Sequence, residues 1–244
     1  MDVFRAAWKL WRVLLHAIAG LCTIWFRFPR LDAAQRQAEV QSWARRMLER
    51  LDVGLELRGQ PPVAGPMLLV ANHISWLDIL VMHAARYCRF VSKADVRGWP
   101  LFGALATGGG TLYIERASRR DALRVVHHMA DSLRQGDVVA VFPEGTTSDG
   151  LQLLPFHANL IQAAISADAQ AQPVALRFVN AATGEVTQTA SYIGDETLVG
   201  SIWRTLCGAR ITAIVSFGMP EFAAGRDRRG WAADLRARVE ALRN

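Results

Sequence analysis

The sequence predicts an α/β fold in which a mixed, mostly parallel sheet is covered by helices and preceded by an N-terminal helical extension. Short apolar runs of strand-like composition alternate with segments whose apolar residues recur at helical spacing. With 244 residues, the chain is long enough for one such domain plus an extension. The strand-like runs are residues 67–71, 88–92, 110–114, 138–142, 173–179 and 210–216.

The extension begins with an apolar segment that suits a membrane surface. Val13 to Phe26 is strongly apolar and is flanked on both sides by Lys and Arg residues. These fourteen residues are fewer than the roughly 20 that a spanning helix needs. Trp8, Trp11 and Trp25 are of a type favoured at the bilayer interface. A signal peptide is the alternative, but no small-residue cleavage site follows. The pattern predicts a retained, membrane-associated helix that is interfacial or shallowly embedded.

A second helix is predicted over residues 35–51, with one apolar stripe. The stripe fits core packing and a membrane-facing role equally, and it consists of Val40, Trp43, Met47 and Leu51. Gly59 to Pro66 is a turn-rich connector. We therefore expect a membrane-associated helical segment over residues 1–52 and an α/β domain over residues 53–244.

Three further helices complete the predicted domain. Residues 119–133 carry apolar side chains at helical spacing, namely Leu123, Val126, Met129, Ala130 and Leu133. Residues 157–167 have the composition of a buried helix, and residues 231–242 that of an amphipathic closing helix.

The composition narrows the classes of function. The net charge of +6 suits an anionic membrane surface or a nucleic acid. The sequence has no zinc-finger, RNP or helix-turn-helix pattern, and its arginines are dispersed, which disfavours nucleic acid. Cys22, Cys88 and Cys207 lie far apart and predict neither a zinc site nor a disulfide framework. The histidines form no metal-binding motif, so we predict no metal.

The segment after the first apolar run carries the clearest sign of chemistry. It reads Asn-His-Ile-Ser-Trp-Leu-Asp over residues 72–78, with His73 five residues before Asp78. On one continuous helix, residues five apart point about 140° away from each other. If the chain turns at residues 74–75 and a helix starts near Trp76, Asp78 can fold back onto the imidazole. A carboxylate there fixes the tautomer and leaves the other ring nitrogen free to take a proton.

Three later segments, together with this one, resemble the four blocks of the glycerolipid acyltransferases. The later segments are Tyr-Ile-Glu-Arg at 113–116, Phe-Pro-Glu-Gly-Thr at 142–146, and the strand opened by Pro173-Val174. The resemblance covers roughly residues 55 to 180. Within the family, the chain looks most like the 1-acyl-sn-glycerol-3-phosphate acyltransferases. It implies that residues 53–244 form an acyltransferase domain.

The resemblance implies transfer of a fatty acyl group from a thioester to a lysolipid hydroxyl. The donor would be acyl-CoA or acyl carrier protein (acyl-ACP), used as a co-substrate, with no cofactor. The acceptor would be 1-acyl-sn-glycerol 3-phosphate, and the product phosphatidic acid, a phospholipid precursor. Because a thioester is already activated, a base need only deprotonate the acceptor hydroxyl. His73 would be that base and Asp78 its orienting partner, at the cytoplasmic face of the cell inner membrane.

Five further residues are expected to bind substrate. In the family the glutamate matching Glu144 helps to hold the polar head of the acceptor, while Gly145 permits close backbone approach and Thr146 completes the block. Arg116 is expected to pair with an anionic head, because a guanidinium fork suits such groups. Lys93 follows a strand and is one of only two lysines in the chain, so it is a further candidate for an anion contact.

One position departs from the family pattern. Many lysophosphatidate acyltransferases carry arginine after Glu-Gly-Thr, whereas this chain has Thr147. A third block that continues with Thr-Ser-Asp-Gly over residues 147–150 also resembles the branch containing lyso-ornithine-lipid acyltransferases, whose acceptor is zwitterionic. Arg119 or Arg120 could supply the missing charge. Lysophosphatidate is therefore the leading acceptor, and lyso-ornithine lipid or another lysolipid is the alternative. A non-enzymatic basic membrane- or nucleic-acid-binding protein is a distant third.

Overall fold

The computed structural model describes residues 3–114 and 119–243, which form a seven-stranded sheet between two layers of helices. The strands are β1 (Val53–Arg58), β2 (Met67–Ala71), β3 (Arg89–Lys93), β4 (Leu112–Ile114), β5 (Val138–Val141), β6 (Gln170–Asn180) and β7 (Ile211–Phe217). The helices are α1 (Val3–Cys22), α2 (Ala33–Leu51), α3 (Leu77–Ala85), α4 (Phe102–Gly108), α5 (Arg119–Arg134), α6 (Gln162–Ser166), α7 (Leu198–Cys207) and α8 (Arg228–Arg243).

The sheet is mixed and mostly parallel, as predicted. Its order is β1-β7-β6-β2-β5-β3-β4, and β6 and β7 form the antiparallel pair. The six predicted strands are present with small shifts at their ends. The strand β1 was missed because it is a half-exposed edge strand that contains Gly54 and charged residues, so it lacks a continuous apolar run.

Alternating side chains in the central strands fill two separate cores. In β2, Leu69 and Ala71 face the layer that contains α2 and α3, while Leu68 and Val70 face α5, α6 and α8. Both faces of the strand are therefore buried, which explains its uninterrupted apolar sequence.

The stripe on α2 is used for core packing. Met47 and Leu51 are buried in the same cluster as the sheet, and the partly buried Trp43 packs against it. Trp43 also fixes α1, because its indole Nε1–H donates to the His16 carbonyl oxygen at 3.1 Å while His16 Nε2 lies 3.0 Å from the Trp43 carbonyl oxygen. The amino-terminal helices thus share a core with the α/β domain.

The helix α1 leaves most of its apolar side chains exposed. Turns of π- and 3₁₀-helix extend it to Arg30, and this 28-residue segment is long and apolar enough to cross a membrane. A signal sequence meets the same criterion of length and composition. The exposed large side chains on this segment are Val3, Phe4, Trp8, Trp11, Leu14, Leu15, Ile18, Trp25 and Phe26.

One predicted helix needed correction, and two further helices were not predicted. The helix predicted over residues 157–167 is only the five-residue α6, because the His157 backbone N–H donates to the Pro143 carbonyl oxygen at 2.8 Å and residues 158–161 form turns. The helices α4 and α7 were not predicted, since both are short and contain glycine.

Candidate active site

The site is built at the carboxyl edge of the parallel strands. In β2 and β5, Val70 pairs with Val141. His73 and Glu144 each follow three residues later, so the two segments leave the sheet side by side. The His73 backbone N–H donates to Glu144 Oε1 at 2.8 Å. This edge is the usual place for a site in an open α/β sheet.

His73 and Asp78 meet as the spacing predicts. Asp78 Oδ2 lies 2.8 Å from His73 Nδ1, and the imidazole is partly exposed while Asp78 is fully buried. The same oxygen accepts backbone N–H bonds from Ile74 at 2.6 Å and Ser75 at 2.9 Å. An oxygen that accepts three hydrogen bonds selects the tautomer with hydrogen on Nδ1. His73 Nε2 is then the ring atom that can accept a proton.

A ring stack and an amide fix the direction of the imidazole. The His73 ring lies parallel to Phe142, with centroids 4.0 Å apart and an interplanar angle of 6°. Just before it, the buried Asn72 side chain donates to the Leu176 carbonyl oxygen at 3.1 Å and accepts the Leu176 backbone N–H at 2.7 Å. Asn72 thereby extends the pairing of β2 with β6 and holds the start of the loop that carries His73.

Glu144 is buried, and both of its oxygens accept backbone N–H groups. Oε1 bonds to His73 and Oε2 bonds to Leu154 at 3.0 Å. Burial raises the pKa of this carboxyl, while the two backbone hydrogen bonds act in the opposite direction. The structure therefore shows Glu144 joining two loops, and contact with the acceptor head stays a prediction.

The helix α8 supports the second of these loops. Arg236 donates from Nε to the Leu154 carbonyl oxygen at 3.1 Å and from Nη2 to the Leu153 carbonyl oxygen at 2.6 Å. Arg243, seven residues later, donates to the Gly150 carbonyl oxygen. A chain of contacts therefore runs from α8 through residues 150–154 and Glu144 to the His73 backbone. No sequence signal indicated this support.

The residues after Glu144 form a tight turn. Gly145 has φ +74°, a conformation that favours glycine, and a Cβ there would also lie in tight contact with the His157 ring, at 3.1 Å. Thr146 is exposed. The Thr147 hydroxyl donates to the Tyr192 carbonyl oxygen, which explains how threonine is accommodated where many lysophosphatidate enzymes carry arginine.

One of the two expected cations, Lys93, lies at the end of a described strand. Lys93 is exposed at the carboxyl end of β3, and its side chain forms no hydrogen bond or ion pair with the described residues. It pairs in register with Ile114 at the end of β4. Arg116, two residues beyond Ile114, lies outside the described residues.

The described residues contain no group of three or more metal-ligating side chains. In the same part of the chain Cys22, Cys88 and Cys207 are free thiols.

One cavity borders the His73 turn, and a second lies among the amino-terminal helices. An open cleft of 330 Å³ with a mixed polar and apolar lining includes Ile74, Asp149 and Arg177, but not His73 or Asp78. A narrow apolar pocket of 60 Å³ lies between α1, α2 and α4 and includes His83. Burial lowers the pKa of His83 to about 4. A series of ring contacts links His83 to His73 through Phe90 and Phe142.

Comparison with known proteins places this arrangement in a family. Residues 52–177 match the family model described as Acyltransferase. The chain is 40% identical over 184 residues to a 1-acyl-sn-glycerol-3-phosphate acyltransferase of Neisseria meningitidis, covering 75% of this chain and 71% of the relative. It is 37% identical over 203 residues to a lyso-ornithine lipid O-acyltransferase of Pseudomonas aeruginosa, covering 83% and 77%.

A solved structure shares the fold. The crystal structure of the 1-acyl-sn-glycerophosphate acyltransferase PlsC from Thermotoga maritima superposes with a TM-score of 0.65 at 19% identity, covering 96% of this chain and 97% of that one. The family match spans more than half of the sequence and contains the His73–Asp78 pair and the Glu144 turn. The chain is therefore an enzyme that belongs to the acyltransferase family.

Proposed function

We propose that this enzyme transfers a fatty acyl group from acyl-CoA or acyl-ACP to the free hydroxyl of 1-acyl-sn-glycerol 3-phosphate, giving phosphatidic acid. The observation that supports the chemistry best is the buried Asp78 carboxylate on His73 Nδ1, with the ring stacked on Phe142. Locked in this way, the imidazole can act as a general base without a protein nucleophile.

In the proposed reaction, His73 Nε2 takes the proton of the acceptor hydroxyl as its oxygen attacks the thioester carbonyl carbon. The tetrahedral intermediate collapses, the C–S bond breaks, and the leaving thiolate receives the proton from the imidazolium. Asp78 stabilises the positive charge that develops on His73. The backbone N–H groups of Thr146 and Thr147 have no hydrogen bond to the described residues and are the donors that we propose for the oxyanion.

The acceptor head is expected on the side of β3 and β4. Lys93 is a cation without a partner among the described residues, and the register places it beside the strand that leads to Arg116. Both would face an anionic head. Glu144 would act by holding His73 and residues 150–154 in place.

Lyso-ornithine lipid is the second candidate acceptor, and it is favoured by one observation. Thr147 faces Tyr192 and supplies no charge to the site, whereas a phosphomonoester gains from a second guanidinium. The N. meningitidis and P. aeruginosa relatives, whose names carry the two acceptors, are similarly distant at 40% and 37% identity.

The enzyme is expected to work on the cytoplasmic face of the inner membrane, held there by α1. The proposal is supported by the exposed apolar side chains of α1 and by five basic and no acidic residues over 3–30.

The test offers lysophosphatidate and lyso-ornithine lipid side by side with labelled acyl-CoA and acyl-ACP. We expect transfer to lysophosphatidate, and loss of transfer in His73→Ala without a change in melting temperature. Wild-type turnover in His73→Ala would refute the general base. Transfer by the wild-type enzyme to lyso-ornithine lipid alone would make the second candidate correct.

Thr147→Arg tests the basis of acceptor choice. This change also removes the hydrogen bond to Tyr192, so Thr147→Val is the matched control. If the acceptor is lysophosphatidate, Thr147→Arg should bind it at least as tightly as Thr147→Val does. If the acceptor is zwitterionic, the guanidinium repels its ammonium group, and Thr147→Arg alone loses activity.

A further inference from the structure

The helix α7 exposes apolar side chains and buries hydroxyl groups. Val199 and Trp203, four residues apart, share its outer face and are 75% and 38% exposed. Ser201 and Thr205 lie on the inner face beside Leu206, and all three are buried. A helix at a protein–water boundary normally has the opposite arrangement. The outer face of α7 is therefore suited to an apolar environment.

The inner face of α7 is bound to the catalytic segment. Ser201 Oγ accepts the indole N–H of Trp76 at 3.2 Å, and Trp76 directly precedes the helix that carries Asp78. The loop before α7 makes a second connection, because the Tyr192 backbone N–H donates to the Ile74 carbonyl oxygen at 3.0 Å. Its neighbour Ile193 is 47% exposed. The segment 192–203 thus touches both sides of the His73 turn. It presents Ile193, Val199 and Trp203 outward, together with the exposed Asp195, while Glu196 is paired with Arg204.

The neighbouring helix α1 indicates what covers the outer face of α7. The helix α7 packs against α1, whose exposed side includes Trp8, Trp11 and Ile18. The α1 segment carries basic and no acidic residues over 3–30, as an anionic lipid surface favours. Tryptophan on both helices is the residue type that concentrates at the bilayer interface. A soluble protein partner would account for α7 but not for the long apolar face of α1.

We infer that the segment 192–203 is a second membrane-contact element, which with α1 seats the catalytic edge on an anionic bilayer. This inference rests on the proposed function, because a lysolipid acceptor keeps its acyl chain in the membrane. Contact through α7 brings the residue-73 turn to the lipid surface through Trp76 and Tyr192, so the acceptor hydroxyl reaches His73 without leaving the bilayer.

The test compares two pairs of substitutions in the full chain. Ile193→Ser with Val199→Ser removes the proposed contact. Met219→Ser with Phe222→Ser is the matched control, because these side chains are 77% and 51% exposed and Phe222 borders a cleft beside α6, in the other helical layer. Partition is measured by co-sedimentation with phosphatidylglycerol–phosphatidylethanolamine vesicles. KM is measured twice, once with the acceptor embedded in vesicles and once with a short-chain acceptor dissolved as monomers.

We expect the first pair to weaken vesicle partition about tenfold, since two partly exposed aliphatic side chains lose their transfer free energy. The ratio of the vesicle KM to the dissolved-acceptor KM should rise by a similar factor, and the control pair should change neither quantity more than about twofold. Equal partition and an equal KM ratio for the two pairs would overturn the inference.

A second experiment is used if the variant with Ile193→Ser and Val199→Ser does not fold. An environment-sensitive dye is attached to Val199→Cys in a chain with Cys22→Ser and Cys207→Ser, and a second sample carries it at Met219→Cys. On vesicle binding, the emission maximum should move to shorter wavelength only for the dye at position 199. An unchanged emission maximum at position 199, on enzyme that is bound to vesicles, would refute the inference. Absence of transfer to any lysolipid with a shifted dye would instead refute the proposed function alone.

Discussion

Replacing Asp78 with asparagine tests the proposed catalytic pair and the turn that builds it in a single variant. Oδ2 accepts hydrogen bonds from the His73 ring and from two backbone N–H groups, while Oδ1 is buried without a partner. The amide oxygen can take the place of Oδ2, so the turn can still form. The NH₂ group then occupies the position of Oδ1, where the described residues offer no acceptor.

The cost to stability follows from these contacts. A buried donor without a partner costs about 1–3 kcal/mol, and hydrogen bonds to a neutral oxygen are about half as strong as those to a carboxylate. The sum is roughly 2–5 kcal/mol, which for a chain of this size lowers the melting temperature by about 5–15 °C. The rate should fall further, by about 10²–10⁴-fold in kcat, because the imidazolium loses its counter-charge.

The assay measures kcat and melting temperature for Asp78→Asn, His73→Ala and the double variant. If Asp78 acts through His73, the double variant should be no slower than His73→Ala, since both changes remove one unit. Activity of Asp78→Asn within about tenfold of the wild type, in folded protein, would refute the assignment of Asp78. A double variant with multiplied losses would show that Asp78 acts independently of the imidazole.

Three further predictions follow from buried contacts. Because burial lowers the pKa of His83 to about 4 from 6.5, the unfolded chain binds the extra proton between these values. Stability is then lost as pH falls from about 6.5 to 4, by up to about 3 kcal/mol, and His83→Leu should lack that loss in denaturant titrations at pH 7 and pH 4.5. Arg236→Ala removes the support of residues 153–154 and should lower kcat about tenfold. Arg229→Ala changes an exposed residue on the same helix and should leave kcat unchanged. Equal kcat values for the two variants would contradict the link through Glu144. Removing residues 1–30 should release the enzyme from membranes and also lower its melting temperature, because it uncovers Trp43; an unchanged melting temperature would show that α1 does not support the domain.

Local patterns in the sequence determined the fold class and the centre of the site. Buried parallel strands are apolar on both faces, so β2 and β5 were visible as uninterrupted runs. The five-residue spacing of His73 and Asp78 predicted the turn between them, because no single helix allows them to meet. Two residues so close in the chain can meet whatever the rest of the fold does. The structure confirms the contact, with His73 Nδ1 2.8 Å from Asp78 Oδ2.

Only the tertiary structure decided how the pair is held and what surrounds it. The stack of Phe142 on His73, the clamp of Asn72 on Leu176 and the support by Arg236 join residues that lie far apart in the chain. Such contacts depend on strand order and register, which leave no periodic trace in one sequence. The stripe on α2 suited core or membrane equally until its neighbours were known. The outward apolar face of α7 likewise emerged only from packing, because the sequence gives the side chains of a helix but not the direction in which each one points.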